Sequence, residues 1–283
     1  VFHIRQVSAD KDGNFYDFLH RVKDGEVSPN IDGVEAAVLG DVHTRHNNKV
    51  VTNLVFKLLD ILKPKHTLIH DVAEMESILH WDLKDPFRLL EKEELGIDNL
   101  EDEINEIISW MNLHSKYNLV MVRSNHDDML DRWLKATDWR VSPNKRMYLK
   151  LANIMVNEPE ARYKGILPFL INQELGDKIT TLSLDDSFRV KGWELAMHGH
   201  LGANGSRGSH GQFKKLNTKN MVGHGHKPHR EDGHIMVGTL SHLRVGFNRG
   251  LSSWMNGFGL IYPDGKAQII HVIKNKFCKD MPM

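Results

Sequence analysis

Residues 34–43 read VEAAVLGDVH, and this stretch decides the fold. Its apolar run predicts a buried strand that feeds into a loop at Gly40. Leucine and valine then recur at helical spacing across residues 50–62, and Pro64 lies just beyond the last of them, where helices end. A buried strand followed by a helix predicts an α/β fold.

Apolar runs that are followed by Asp, Asn or His recur along the rest of the chain. They predict four further strands, at residues 66–70, 118–123, 193–197 and 220–222. Because ligands bind beyond the carboxyl ends of strands in open α/β sheets, we expect the polar side chains after these strands to meet at one edge. The candidate metal ligands are Asp41, His43, Asp71, Asn125, His198, His224 and His226.

These candidates combine carboxylate, amide and imidazole ligands, which suit Mn, Fe, Zn or Ni better than Ca or Mg. Seven ligands are too many for one tetrahedral site, but they suit two ions that share a bridging carboxylate. Each motif alone is weak, since Asn-His-Asp is often a helix cap and Gly-His-Gly-His is often a flexible loop. The ordered recurrence after apolar runs is what indicates a two-metal centre.

The motifs are GDVH at residues 40–43, HD at 70–71, SNHDD at 124–128, HGH at 198–200 and GHGH at 223–226. In this order they resemble the calcineurin-like metallophosphoesterase superfamily. The resemblance implies a four-layer α/β/β/α sandwich with a dinuclear metal centre. Two positions depart from the family pattern, because His70 and Ser124 stand where the family usually has glycine.

The resemblance also implies a role for each candidate, with Asp71 bridging the two ions. One ion would be held by Asp41, His43, Asp71 and His226, and the other by Asp71, Asn125, His198 and His224. His200 is the alternative to His198. His126 would contact the phosphate and protonate the leaving oxygen, and Glu74 would orient His126. The alternative for Glu74 is a solvated glutamate on a helix face.

The implied reaction is hydrolysis of a phosphate ester with two divalent ions, of which Mn²⁺ is favoured over Fe, Zn and Ni. A hydroxide that bridges the ions would attack phosphorus while the metals neutralise the growing charge. Four basic residues predict a groove for a phosphate backbone, and the alternative is a mobile, solvated loop. These residues are Arg207, Lys214, Arg244 and Arg249.

The loop after His198 and its setting also resemble, more distantly, DNA-degrading phosphoesterases that tailed phages use during DNA transfer. This second resemblance predicts a Mn-dependent DNA nuclease with DNA as its partner. Two alternatives stay open: a phosphatase or phosphodiesterase acting on a small molecule or phosphoprotein, and a metal-bound scaffold without activity.

The composition limits the class of protein. The chain has 283 residues and a formal net charge of zero, so a strongly basic nucleic-acid footprint is absent on average and only a local patch is expected. Its single cysteine, Cys278, cannot form an intramolecular disulfide, which predicts a cytoplasmic protein, in the host cytoplasm if a phage encodes it. The apolar runs are too short to span a membrane.

The predicted domain organisation is an N-terminal appendage at residues 1–33 and a catalytic domain at residues 34–283. Helical insertions are expected at about residues 72–116 and 128–190. Because the chain begins with Val1 rather than Met, it is open whether more chain precedes it. Assembly as a homo-oligomer is also left open.

Overall fold

The computed structural model describes residues 5–246, 248 and 250–274. Arg249 and Cys278, which carried predictions from sequence, lie outside the described residues. The strands are β1 Phe15–Asp17, β2 His20–Lys23, β3 Glu26–Pro29, β4 Ala36–Asp41, β5 His66–His70, β6 Leu119–Val122, β7 Thr180–Thr181, β8 Arg189–Val190, β9 Trp193–Glu194, β10 Lys219–Val222, β11 His229–Glu231, β12 His234–Met236, β13 Asn256–Ile261 and β14 Ala267–Val272. The α-helices are α1 Lys49–Leu62, α2 Pro86–Leu95, α3 Leu100–His114, α4 Asp127–Ala136, α5 Lys145–Asn157, α6 Pro159–Lys164, α7 Ile166–Leu175 and α8 His210–Lys214.

The central sheet has six strands in the order β14-β13-β4-β5-β6-β7. Strands β4 to β7 run parallel to one another, and the hairpin β13–β14 continues the sheet in antiparallel fashion beside β4. The parallel strands are connected through helices, as crossovers between parallel strands require. The prediction of a mixed α/β protein is confirmed.

Strand β4 is buried on both of its faces. Ala37 and Leu39 pack in the cluster that contains the helices, whereas Ala36 and Val38 pack in the cluster shared with the second sheet. Successive side chains of a strand point to opposite faces, so a strand covered on both sides reads as a continuous apolar run. This explains why the stretch before Asp41 shows no alternation of polar and apolar residues.

The second sheet has five strands in the order β11-β12-β10-β9-β8. It packs against the central sheet through Trp193, Met221 and Ile235, and Phe213 of α8 packs with Val222 and Met236 in a separate cluster. Helices therefore cover the central sheet on the side away from the second sheet, and α8 packs with residues of the second sheet.

Strand β9 is shorter than the predicted run at residues 193–197, because it ends at Glu194. The carboxylate of Glu194 accepts hydrogen bonds from the main-chain N–H groups of Phe188, at 2.9 Å, and Ala196, at 3.0 Å. These local hydrogen bonds take the place of hydrogen bonds between strands. Strand β9 therefore ends earlier than the apolar pattern of residues 193–197 predicts, and the chain continues as a loop to His198.

The N-terminal strands β1, β2 and β3 form a separate antiparallel sheet. This sheet is attached to the hairpin β13–β14, since Phe18 N–H donates to the hydroxyl of Tyr262 at 2.8 Å and the rings of Tyr16 and Tyr262 stack at 5.0 Å. None of the helices in the described part of the chain combines the length and the apolarity needed to cross a bilayer.

Replacing Gly40 by alanine is expected to destabilise the fold. A Cβ atom at Gly40 would lie 2.0 Å from the carbonyl oxygen of Gly238, so the main chain itself must move. Forcing extra volume into a packed site costs about 1–3 kcal/mol. Urea denaturation measures this loss, and Gly246→Ala is the matched control because nothing lies within 4 Å of its added Cβ. Equal stability of Gly40→Ala and wild type would contradict the close approach of the two chains.

Candidate metal centre

Four of the predicted ligands meet, three of them at the carboxyl ends of central strands and His226 in the loop after β10 of the second sheet. Asp41 ends β4, His43 follows two residues later, and Asp71 follows β5 directly. The N–H of His43 donates to the carbonyl of Asp71 at 2.8 Å, which joins the two loops. Asp41, His43, Asp71 and His226 each offer one ligand atom within 4.8 Å of the others, and all four are buried.

The spacing of these atoms suits a single ion. The closest pairs are Asp41 Oδ2 to His226 Nε2 at 2.7 Å, His43 Nε2 to His226 Nε2 at 3.2 Å, and His43 Nε2 to Asp71 Oδ2 at 3.6 Å. Ligands held at 2.0–2.1 Å around a tetrahedral ion lie about 3.4 Å from one another. The cluster can therefore hold a metal ion with small adjustments of its side chains.

Asn125 and His198 adjoin the same cluster. His198 Nε2 lies 3.0 Å from Asn125 Oδ1 and 3.7 Å from Asp71 Oδ2. Asp71 Oδ2 thus lies within 3.7 Å of both the imidazole of His43 and the imidazole of His198. This is the position that a bridging carboxylate would occupy.

His224 is less deeply placed than the other candidates. Its side chain is exposed, its main-chain N–H donates to Asp41 Oδ1 at 3.0 Å, and its ring lies edge-on to that of His198 at 5.1 Å between centroids. The ring centroid of His200, the alternative to His198, lies 5.4 Å from that of His198. The contact between His198 and Asn125 favours His198 as the ligand.

A buried carboxylate oxygen without a partner supports a bound cation. Asp71 Oδ1 is inaccessible to solvent and makes no hydrogen bond. Leaving such atoms unpaired in the interior is costly, and a metal ion satisfies carboxylate oxygens and imidazole nitrogens directly. The donor set fits a divalent transition metal.

The main chain at the cluster adopts an unusual conformation. His43, Asp71, His224 and His226 have φ angles of 45°, 48°, 66° and 53°. Non-glycine residues rarely occupy this left-handed region, and strained backbone of this kind concentrates at functional sites. With this left-handed main-chain conformation, the side chains point toward one another and do not continue in the direction of the preceding strands.

His70 fits beside the bridging position because the residue opposite has no side chain. A Cβ atom at Gly223 would lie 2.3 Å from Asp41 Oδ1 and 3.0 Å from His70 Cβ. The His70 ring is fully buried, with its centroid 5.6 Å from that of His198, and burial lowers its pKa to about 4. The superfamily usually has glycine where this chain has His70, and here the missing side chain of Gly223 leaves the space that His70 needs.

Glu74 supports His43 more directly than it supports His126. Its side chain is 1% exposed, and Oε2 lies 2.6 Å from His43 Nδ1. His126 Nδ1 lies 3.1 Å from the main-chain carbonyl of Glu74, and His126 Nε2 lies 3.8 Å from Asp71 Oδ2. The alternative of a solvated glutamate on a helix face is wrong, because Glu74 is buried in an irregular segment.

The charges of the cluster favour ionised carboxylates. Burial alone would raise the pKa of Asp71, but the neighbouring His126, His198 and His43 outweigh it and lower that pKa to about 2. Burial alone would lower the pKa of His43, but Glu74 and Asp71 outweigh it and raise that pKa to about 10. A proton on His43 therefore balances the carboxylates until a cation takes its place.

Metal affinity is expected to rise with pH because of that proton. A ligand imidazole must be neutral, so ion binding at neutral pH releases the proton from His43. Below its pKa of about 10, affinity should increase by up to about tenfold per pH unit. Calorimetry in buffers of different ionisation enthalpy measures the released proton, and binding without proton release would contradict this assignment.

Comparison with known proteins gives a phage relative. The chain is 28% identical to Protein A1 of Escherichia phage T5 over 294 aligned residues, which cover 98% of this chain. It spans 52%, about half, of the length of that protein. No protein-family model matches the chain, and no solved structure matches it. The relative's name states no activity, so the chemistry of the cluster has to indicate the reaction.

Two of the four predicted substrate-binding residues are engaged elsewhere. Lys214 pairs with Glu231 and with Asp232, the latter at 3.1 Å, and Arg244 donates to the main-chain carbonyls of Asn248 and Gly250. Arg207 is exposed in the loop before α8, and Arg249 lies outside the described residues. A phosphate-binding role for these four residues stays a prediction.

Two supporting residues escaped the sequence reasoning. Asp127 Oδ2 accepts a hydrogen bond from Ser124 N–H at 2.9 Å, and Ser124 Oγ accepts one from Asp127 N–H at 3.2 Å. This reciprocal pair closes the turn that leads into α4, whose N-cap is His126, and it fixes the positions of Asn125 and His126. The Ser-x-x-Asp spacing is a known helix-start pattern and was the available signal.

Replacing Glu74 by glutamine is expected to weaken metal binding without unfolding the protein. The carboxylate fixes the tautomer and the orientation of His43, and losing such a partner typically costs 10–100-fold in metal affinity, or about 1.4–2.7 kcal/mol. Competition with a fluorescent chelator measures the affinity. Glu174→Gln, at an exposed position of α7, is the control. Unchanged affinity in Glu74→Gln would show that His43 needs no such support.

Proposed function

We propose that this chain is a metal-dependent phosphoester hydrolase of the calcineurin-like type, with two divalent ions. The observation that carries the proposal is the convergence of Asp41, His43, Asp71 and His226 in one buried cluster. Their order along the chain is that of the superfamily's motifs. The succession of helices, two facing sheets and α8 supports the four-layer α/β/β/α arrangement that the motifs imply.

The protein's own side chains would divide the work around the reacting phosphate. Bound ions would supply an activated water and neutralise the charge that develops on the phosphoryl group. Asp71 would hold the ions together from its central position. Glu74 would keep His43 in the tautomer that binds metal.

His126 is placed to act as the general acid. Its Nδ1 lies 3.1 Å from the carbonyl oxygen of Glu74, an acceptor, so Nδ1 carries the hydrogen and the ring orientation is set. Its Nε2 is on the side of Asp71, and the side chain is only 12% exposed. A protonated Nε2 there can donate to the leaving oxygen of a phosphate ester.

We infer that DNA is the substrate and Mn²⁺ the preferred ion. The relative comes from a tailed phage, which agrees with the phage source that the second resemblance implies. The partly exposed Trp254 supports DNA as the substrate, because its ring lies edge-on to His226 at 4.0 Å between centroids. An aromatic face beside the metal cluster is a surface on which a base of a single strand can stack.

Hydrolysis assays separate this proposal from its alternatives. With Mn²⁺ added, we expect cleavage of a chromogenic phosphodiester and of linear or circular DNA, but not of phosphopeptides. Turnover of phosphopeptides or of a small phosphomonoester alone would replace the nuclease by a phosphatase. Metal binding without hydrolysis of any of these substrates would favour the alternative of a metal-bound scaffold without activity. Wild type with chelator, and His126→Gln with Mn²⁺, control for a contaminating nuclease.

A further inference from the structure

Three histidines gather on the second sheet, away from the cluster around Asp71. His229 lies on β11 and His234 on β12, and the register pairs Glu231 with His234 and His229 with Met236. Directly paired and alternate residues share a face of a sheet, so His229, Glu231 and His234 point the same way. His210 of α8 covers them, with ring centroids 3.9 Å from that of His229 and 5.1 Å from that of His234.

The innermost imidazole, His234, is held in one tautomer. Its Nδ1 lies 2.6 Å from Asn220 Oδ1, and the amide nitrogen of Asn220 donates to the carbonyl of Thr218 at 3.0 Å, which fixes the amide orientation. An amide oxygen only accepts, so Nδ1 carries the hydrogen and Nε2 carries a lone pair. This arrangement is typical of histidines that bind metals through Nε2.

Two nitrogens of this group are buried and make no hydrogen bond: His234 Nε2 and His210 Nδ1. His234 is 1% exposed, so water does not reach its lone pair. Burial lowers the pKa of His234 to about 4, and burial followed by the nearby His229 lowers that of His210. Both imidazoles are therefore neutral at physiological pH, which is the form that binds metals.

A carboxylate completes the group. Glu231 Oε2 lies 3.4 Å from His229 Nε2, and Lys214 pairs with the same glutamate. Three imidazoles and one carboxylate, without a thiolate, form a donor set suited to Zn²⁺ and to neighbouring divalent transition metals.

We propose that His210, His229 and His234 bind one divalent ion of the Zn²⁺ type, with Glu231 beside the fourth position. No three donor atoms of this group lie within 4.8 Å of one another as the side chains stand. The stacked rings of His210 and His229 would therefore turn about their side-chain bonds to direct one nitrogen each at the ion. The ion would join α8 to the hairpin β11–β12. None of these four side chains belongs to the cluster around Asp71, so the site is distinct from that cluster and its role would be structural.

Ion counting in the full chain tests the proposal. The background is Asp71→Asn, which disables the cluster at the central sheet, and each protein is dialysed against zinc and analysed by plasma mass spectrometry. Adding His229→Asn to this background should remove one zinc ion per chain, and adding His80→Asn should remove none. His80 is exposed and lies outside the group. Far-UV circular dichroism verifies that each variant is folded.

Thermal stability and cobalt absorption give a second readout. In wild type, zinc should raise the thermal midpoint of the chain, and Co²⁺ in place of zinc should give the visible absorption of a tetrahedral site. His229→Asn and His210→Asn should lose the cobalt band that persists in Asp71→Asn. Equal ion counts with and without His229→Asn would overturn the proposal and leave the histidines as packing groups. That result would not bear on the proposed hydrolase function, because the catalytic ions depend on Asp71.

Discussion

Replacing Asp71 by asparagine should remove metal and activity together. Asp71 Oδ2 lies 3.6 Å from His43 Nε2 and 3.7 Å from His198 Nε2, so one carboxylate serves both halves of the cluster. Asparagine keeps the shape but loses the negative charge that the two ions would share. Metal catalysis is worth several kcal/mol, so turnover should fall by at least about 1,000-fold.

The measurement combines a phosphodiester assay with ion counting on the same preparations. Asp60→Asn is the matched control, because Asp60 is exposed on α1 and pairs only loosely with Lys116 at 3.4 Å. The control should keep both metal and activity. Full activity in Asp71→Asn would discard the bridging role.

Replacing His126 by glutamine should lower turnover while the ions remain. His126 lies at the edge of the cluster, with Nε2 3.8 Å from Asp71 Oδ2, and it is the N-cap residue of α4. Loss of a general acid typically lowers the rate by about 100- to 10,000-fold. The ion count should match that of wild type.

Leaving-group dependence distinguishes a general acid from a structural histidine. A nitrophenolate leaves readily without a proton, so its ester should be hydrolysed almost normally by His126→Gln. The alkoxide released from DNA needs the proton, so DNA cleavage should suffer most. An equal loss on both substrates, or a loss of ions, would mean that His126 holds the site together instead.

The positions of the ligands could be predicted from the sequence, because the ligands follow the ends of strands and the apolar runs show where strands end. The apolar runs before Asp41, Asp71 and Asn125 each form a strand that is buried at its carboxyl end, and parallel strands place their carboxyl ends at one edge. The helix after β4 also follows its pattern. These features depend on local periodicity, which a sequence displays directly.

Other features depend on contacts between distant segments. The left-handed φ angles of His43 and His226 have no signature in the residues themselves, since they persist only because the surrounding loops hold them. The pairing of Lys214 with Glu231 could not be predicted either, because the sequence does not show which acidic residue a given lysine contacts. Glu74 illustrates the same difficulty. The sequence indicated that Glu74 is a candidate site residue, but it did not indicate that the nearest partner of Glu74 is His43.

The most direct test of the account is diffraction from Mn²⁺-soaked crystals, recorded near the manganese absorption edge. The account predicts two anomalous peaks about 3.5–4 Å apart on either side of the Asp71 carboxylate, one against His43 and His226 and the other against Asn125 and His198. A map without a peak between Asp41, Asp71 and His226, in crystals with Mn²⁺ in excess, would contradict it.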